Sequence, residues 1–197
     1  MNSKLVETHP FPPFLPKHAK VLMMGTFPPP QNKWCMPFFY PNYINDMWRI
    51  MGIIFFNDKN HFIDLNNKIC KEKEIRDFAT TIGLALSDTG YKAHREKGNA
   101  SDKYLDIIEA KNIRELLDQI PKCTIILTTG EKAMEIACKQ FNILSVPKMG
   151  DHITVNYNGR SVDIYRMPSS SRAYPLKIEK KADIYRIPLM EVFNLKE

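Results

Sequence analysis

The sequence predicts an α/β protein: a three-layer α/β/α sandwich around a central, mainly parallel four-stranded sheet, with a C-terminal hairpin added. Three observations predict it. Short apolar runs end at glycine or proline, as buried strands do when they deliver loops at their carboxyl ends. Other segments carry apolar residues at three- and four-residue intervals, the mark of helices covering a sheet. Strand, loop and helix also alternate along the chain, which favours parallel strands covered on both faces. At 197 residues with 44% hydrophobic content, the chain suits one well-filled core, and residues 1–197 are expected to form a single domain.

The elements follow in order. Thr8 to Pro16 carries Pro10, Pro12, Pro13 and Pro16, too many prolines for a helix or an inner strand. Residues 1–19 therefore read as an extended lead-in lying over the domain surface. Lys20 to Gly25 is a buried strand ended by glycine. Its loop holds Pro28, Pro29, Pro30 and Pro37, then the aromatic cluster Phe38-Phe39-Tyr40. From Asn45 the pattern turns helical, with Met47, Ile50, Met51, Ile54 and Phe55 on one face. Asp102 to Gln119 reads as another helix, burying Leu105, Ile108, Ile113, Leu116 and Leu117, and Pro121 stops it. Cys123 to Thr128 is a second buried strand, and Gly130 turns the chain into a helix over Glu131 to Gln140. Ile153, Val155 and Tyr157 alternate with polar residues, Asn158-Gly159 makes a tight turn, and Val162 to Met167 returns as a strand. That strand ends at Pro168-Ser-Ser-Ser-Arg172. A last helix spans about Ala182 to Val192, interrupted or restarted at Pro188. In such a sheet, ligands bind beyond the carboxyl ends of the strands, so the loops after Met24, Leu86 and Met167 should converge on one crevice.

Composition narrows the function classes. Lys and Arg outnumber Asp and Glu by 28 to 22, a formal charge of +6, which suits a phosphate-bearing partner without requiring one. Cys35, Cys70, Cys123 and Cys138 lie far apart, with no CxxC pair and no histidine at zinc-ligand spacing, so neither a metal nor any other cofactor is expected. No run of about 18 apolar residues suggests a membrane span, and the start of the chain has no signal-peptide pattern. The expectation is a cytoplasmic monomer with reduced thiols and no membrane partner.

Gly25-Thr-Phe-Pro28, followed by Phe39-Tyr40-Pro-Asn-Tyr-Ile-Asn45-Asp-Met-Trp48-Arg-Ile, resembles the first motif region of the uracil-DNA glycosylase superfamily. The nearest match is to its mismatch-specific and hypoxanthine-DNA glycosylase branches. In that family a strand leads into Gly-x-x-Pro, an aromatic residue follows, and Asn-x-(aromatic)-Trp opens a helix five residues later; here Met47 replaces the second aromatic. Gly83 to Asp88 resembles the family's strand bearing the base-reading residue, and Met167-Pro-Ser-Ser-Ser-Arg172 its second, DNA-clamping motif. The resemblance runs in order from about Val21 to Arg172. It implies a uracil-DNA glycosylase-like fold that flips a deaminated or damaged base out of DNA and hydrolyses its N-glycosidic bond, as in base excision repair. Two departures matter. Phe27 stands where uracil-removing branches carry an Asp or Asn that handles water, and Met167 where His or Asn often steadies the departing base. The hypoxanthine-type branch also lacks the first carboxylate and relies on the Asn matching Asn45, so this chain sits nearer to it.

The resemblance assigns roles residue by residue. Cleaving the bond needs a positioned water and donors aimed at the leaving base. Asn45, as the catalytic residue, holds the water through its side-chain carbonyl, although Asn is also a good cap for a helix beginning at Asp46. Tyr40 offers a stacking face for the base, or else joins Phe38 and Phe39 in the core. Gly25, Thr26, Phe27 and Pro28 border the base. Asp88, where uracil readers carry Asn, only accepts hydrogen bonds when ionised and repels a carbonyl oxygen, so the preferred base is not plain uracil; the other reading is a solvated Asp starting a turn. Pro168, Ser169, Ser170, Ser171 and Arg172 grip phosphates, or form an ordinary turn. His94 and Arg95 either contact DNA or occupy a surface loop. No Lys stands at a recognisable nucleophilic position, which points to a monofunctional enzyme using water. A non-catalytic nucleic-acid-binding module and a small-molecule nucleoside hydrolase remain as alternatives.

Overall fold

A computed structural model describes residues 6–96 and 104–195. Its elements are β1 (Val6–Thr8), β2 (Val21–Gly25), α1 (Met47–Phe56), β3 (Ile63–Asp64), β4 (Ile69–Cys70), α2 (Glu72–Ile82), β5 (Leu84–Asp88), β6 (Gly90–Arg95), β7 (Leu105–Ala110), α3 (Ile113–Gln119), β8 (Ile125–Thr129), α4 (Glu131–Gln140), β9 (His152–Tyr157), β10 (Arg160–Met167) and α5 (Ile178–Phe193).

The central sheet has the order β5-β2-β8-β10-β9, and its first four strands run parallel. β9 joins antiparallel to β10 through Asn158 and Gly159, whose φ values of 50° and 78° belong to the left-handed region such two-residue turns require. The expected four-stranded sheet is thus corrected to five, because the hairpin is part of the sheet and not an appendage. β2, β5 and β8 are buried along their whole length, so successive side chains go to different layers. Val21, Met23, Leu84, Leu86, Ile125 and Leu127 pack with Trp48 and Ile50 of α1, Ile75 of α2 and Tyr185 of α5. Leu22, Met24, Ala85, Ile126 and Ile164 pack on the other side with Leu117 of α3 and Met134 of α4. The result is helices on both sheet faces.

Three further expectations need correction. The helix proposed over 102–119 is strand β7 followed by α3; Asp102 itself lies outside the described residues. Asn112 starts the helix by accepting from the Arg114 and Glu115 N–H groups, and before it Leu105 to Ala110 are recruited by β6. His94 and Arg95 belong to β6, not to a surface loop: His94 is buried, and Arg95 pairs with Glu7 at 2.9 Å and reaches the Pro28 carbonyl at 2.9 Å. β1, β6 and β7 form a separate antiparallel sheet. α5 runs straight through Pro188, which is buried, so this proline removes one helical N–H without ending the helix.

The lead-in is also more than a surface strap. Phe11 is buried in the core, and Phe14 exchanges backbone hydrogen bonds with Leu86 at 2.9 and 2.8 Å. β5 is an edge of the central sheet, and the lead-in covers it. Among the described residues, no helix is long and apolar enough to cross a membrane. No group of three or more His, Cys, Asp or Glu among them could hold a metal ion.

Candidate active site

A cavity of about 540 Å³ opens where the carboxyl ends of β2, β5, β8 and β10 meet. Its wall includes Gly25, Thr26, Phe27 and Pro28 after β2, Tyr40 and Asn45 before α1, Asp88 at the end of β5, Thr129 at the end of β8, and Ser169 to Arg172 after β10. Residues as far apart as Gly25 and Pro175 are therefore brought to one place, as the end of a parallel sheet allows.

Gly25 and Asp88 are partners in the β2–β5 register. A Cβ on Gly25 would stand 2.6 Å from Asp88 Oδ1, so glycine is what lets the carboxylate lie across the β2 backbone. The Asp88 carboxylate is buried, with Oδ2 2.8 Å from His9 Nε2. Lys111 also responds to it: burial lowers the Lys111 ammonium below its usual range, and the attraction of Asp88 opposes that.

Tyr40 takes a left-handed backbone conformation, φ 53°, which is uncommon outside glycine and costs on the order of 1–3 kcal/mol. The turn separates it from its neighbours: Phe38 and Phe39 are buried in the core, whereas Tyr40 reaches the cavity wall. Its hydroxyl lies 3.2 Å from Thr129 Oγ1, and its ring meets Trp48 edge-on at 6.2 Å. Burial, aided by the nearby Asp88 charge, pushes the Tyr40 hydroxyl far above its ordinary range, so it stays protonated. Trp48 holds the turn by donating from Nε1 to the Phe39 carbonyl at 3.0 Å, and Trp34 likewise pins the proline loop at Pro29. In the same loop, Cys35 and Cys70 of β4 place their sulfurs 3.2 Å apart.

Asn45 stands just before the α1 cap and borders the cavity. α1 begins at Met47, one residue later than expected, with Asp46 as its cap residue. Asn45 Oδ1 accepts the Met47 N–H at 2.9 Å, which fixes the orientation of the amide. The oxygen retains a second lone pair, and the side chain still borders the cavity.

Asp46, expected only as the start of the helix, joins three elements. Its backbone N–H donates to the Ser170 carbonyl at 2.9 Å, Oδ2 accepts from Lys181 Nζ at 2.9 Å, and Oδ1 accepts from Arg172 Nε and Nη2 at 3.2 Å. Lys181 is fully buried on α5 and also donates to the Ser171 carbonyl at 2.7 Å. This joint holds the 168–172 loop beside Asn45. Arg172 nevertheless keeps half its side chain exposed. Ser169 and Ser171 stay on the cavity wall, and Ser170 is buried there. Pro168 is the exception to the expected set: it is buried off the wall, where its carbonyl accepts from Tyr185 at 2.8 Å. Sequence reasoning also missed Thr129 on the cavity wall and His9, whose partner Asp88 lies 79 positions away.

No family model matches the chain, and no curated protein matches it. Among solved structures, it resembles the solution structure of a candidate uracil DNA glycosylase from Methanosarcina acetivorans, with a TM-score of 0.60 and 18% identity, covering 93% of this chain and 98% of that one. At that identity the likeness establishes the overall fold.

Proposed function

We propose that the protein is a monofunctional DNA glycosylase that draws a deaminated or damaged base, hypoxanthine or uracil-like, out of DNA and hydrolyses its N-glycosidic bond. The observation that carries this reading is the meeting of Asn45, Tyr40, Asp88 and the Ser169–Arg172 loop around one cavity, in a fold like that of the Methanosarcina protein. The volume falls within the range of about 300–1,000 Å³ typical of small-molecule sites and admits a nucleobase with its sugar. The protonated Tyr40 ring gives the extruded base a face to stack on. Asn45 Oδ1 accepts a hydrogen from water with its free lone pair and aims the oxygen at the anomeric carbon. Gly25, Thr26, Phe27 and Pro28 close the base side, and Phe27 takes no proton. Asp88 prefers a base edge that offers an N–H. Ser169, Ser171 and the exposed part of Arg172 face the flanking phosphates, with the +6 charge of the chain favouring association.

The test is alkaline-revealed cleavage of labelled duplexes carrying hypoxanthine, xanthine, uracil or a normal base. Wild type should cleave at a modified base. Asn45→Ala should lose on the order of 100-fold in turnover through the misplaced water, while binding the duplex as before. Tight duplex binding without cleavage at any base would leave a non-catalytic binding module; turnover of free nucleosides alone would leave a nucleoside hydrolase.

A further inference from the structure

His9 sits in a proline-rich segment, yet its side chain is 1% exposed and lies among the rings of Phe11, Phe27 and Phe39 at 5.3–6.0 Å. Nδ1 lies 2.9 Å from the Phe11 carbonyl and 3.2 Å from the Phe11 N–H, so one backbone group or the other holds it whether the ring is the neutral Nε2–H tautomer or the imidazolium. In both arrangements a carboxylate at Asp88 requires Nε2 to carry a hydrogen, which it donates to Oδ2 at 2.8 Å. The other oxygen, Oδ1, lies against the bare Cα of Gly25 on the cavity wall. Burial, with the Asp88 charge added, keeps the Tyr40 hydroxyl protonated, and burial lowers the Lys111 ammonium against the attraction of the same charge.

We infer that His9 is a specificity-determining positioning residue, which occupies Asp88 Oδ2 and so leaves Oδ1 as one fixed acceptor for the base. The inference rests on the reading of the cavity as a nucleobase site. A fixed carboxylate oxygen accepts well from an N–H with a carbonyl on one side only, such as N1–H of a 6-oxopurine. It accepts poorly from N3–H of uracil, which stands between two carbonyls whose oxygens the charge repels. Without His9, the carboxylate is free to turn toward the Lys111 ammonium, and the preference relaxes.

The test compares wild type, His9→Ala and His9→Gln on hypoxanthine and uracil duplexes, and in fluorescence titrations with the two free bases. Gln keeps an N–H donor at about the same reach. His9→Ala should raise KM for the hypoxanthine duplex about 10-fold, as expected for one charge-assisted hydrogen bond, with kcat little changed. The hypoxanthine-to-uracil ratio should shrink alongside, and His9→Gln should restore both. An unchanged ratio in His9→Ala, or a Gln variant as impaired as the Ala one, overturns the inference while leaving the glycosylase reading intact. A wild type that binds free bases without cleaving any duplex defeats the glycosylase reading, and the binding ratios of the two variants then decide the inference. Neither cleavage nor base binding overturns both.

Discussion

At the scale of single residues, polar groups in this protein are set by what stands opposite them. Cys35 and Cys70 share a hydrogen across 3.2 Å, and that bond lowers the half-buried Cys35 thiol to about 7 while the Cys70 thiol is pushed up. Burial also raises Cys123 and Cys138. Thiolate is the reactive form, so Cys35 should alkylate first, at a rate that rises through about pH 7 and levels off above it. Mass spectrometry of peptides labelled with iodoacetamide across a pH series checks this. Equal labelling of all four cysteines, or a Cys35 midpoint near that of a free thiol, would contradict it. Asn45 follows the same logic. Its amide is turned by the Met47 N–H, a local partner that the spacing of Asn45 before a helical pattern announces. His9 has no such local signal, because its partner lies on another element.

Among elements, the Asp46 joint ties α1, the 168–172 loop and α5 together. Lys181 is fully buried, so removing its carboxylate leaves a charge with no counter-charge and only the Ser171 carbonyl to hold it. Asp46→Ala should cost about 3–5 kcal/mol, read as a lower urea midpoint at unchanged slope. A loss below about 1 kcal/mol would mean that the joint is dispensable. Much of the element plan was legible in sequence. The runs ending at Gly25 and Thr128 read as buried strands, and the Met47, Ile50, Met51 and Ile54 spacing read as a helix, because each pattern is local. Ile75, Phe78 and Ala79 carry the same signal for α2 within a charged stretch. β7 was not legible: Leu105 and Ile108 fit a helical spacing, and only pairing with β6 makes the segment a strand. The candidate site was visible as three motif loops, but its supports, Asp46 with Lys181 and Asp88 with His9, come from pairs distant in sequence.

Over the whole molecule, the lead-in holds the edge of the sheet and the back of the cavity together. Phe14 bridges to Leu86, Phe11 fills the core beneath Trp34 and Phe39, and Val6 to Thr8 pair with β6. Phe11→Ala should cost about 3–5 kcal/mol, on the order of 10 °C in Tm for a chain of this length. Calorimetry measures it, and an unchanged Tm would return the lead-in to a surface strap. The joint at Asp46 has a consequence for how the protein is made. Its two cations arrive at positions 172 and 181, so a growing chain holds the ends of β2, β5 and β8 before either cation reaches the carboxylate. Chains that stop before Arg172 therefore carry an unpaired acid where α5 should seat, and those that stop between Arg172 and Lys181 lack its buried counter-charge.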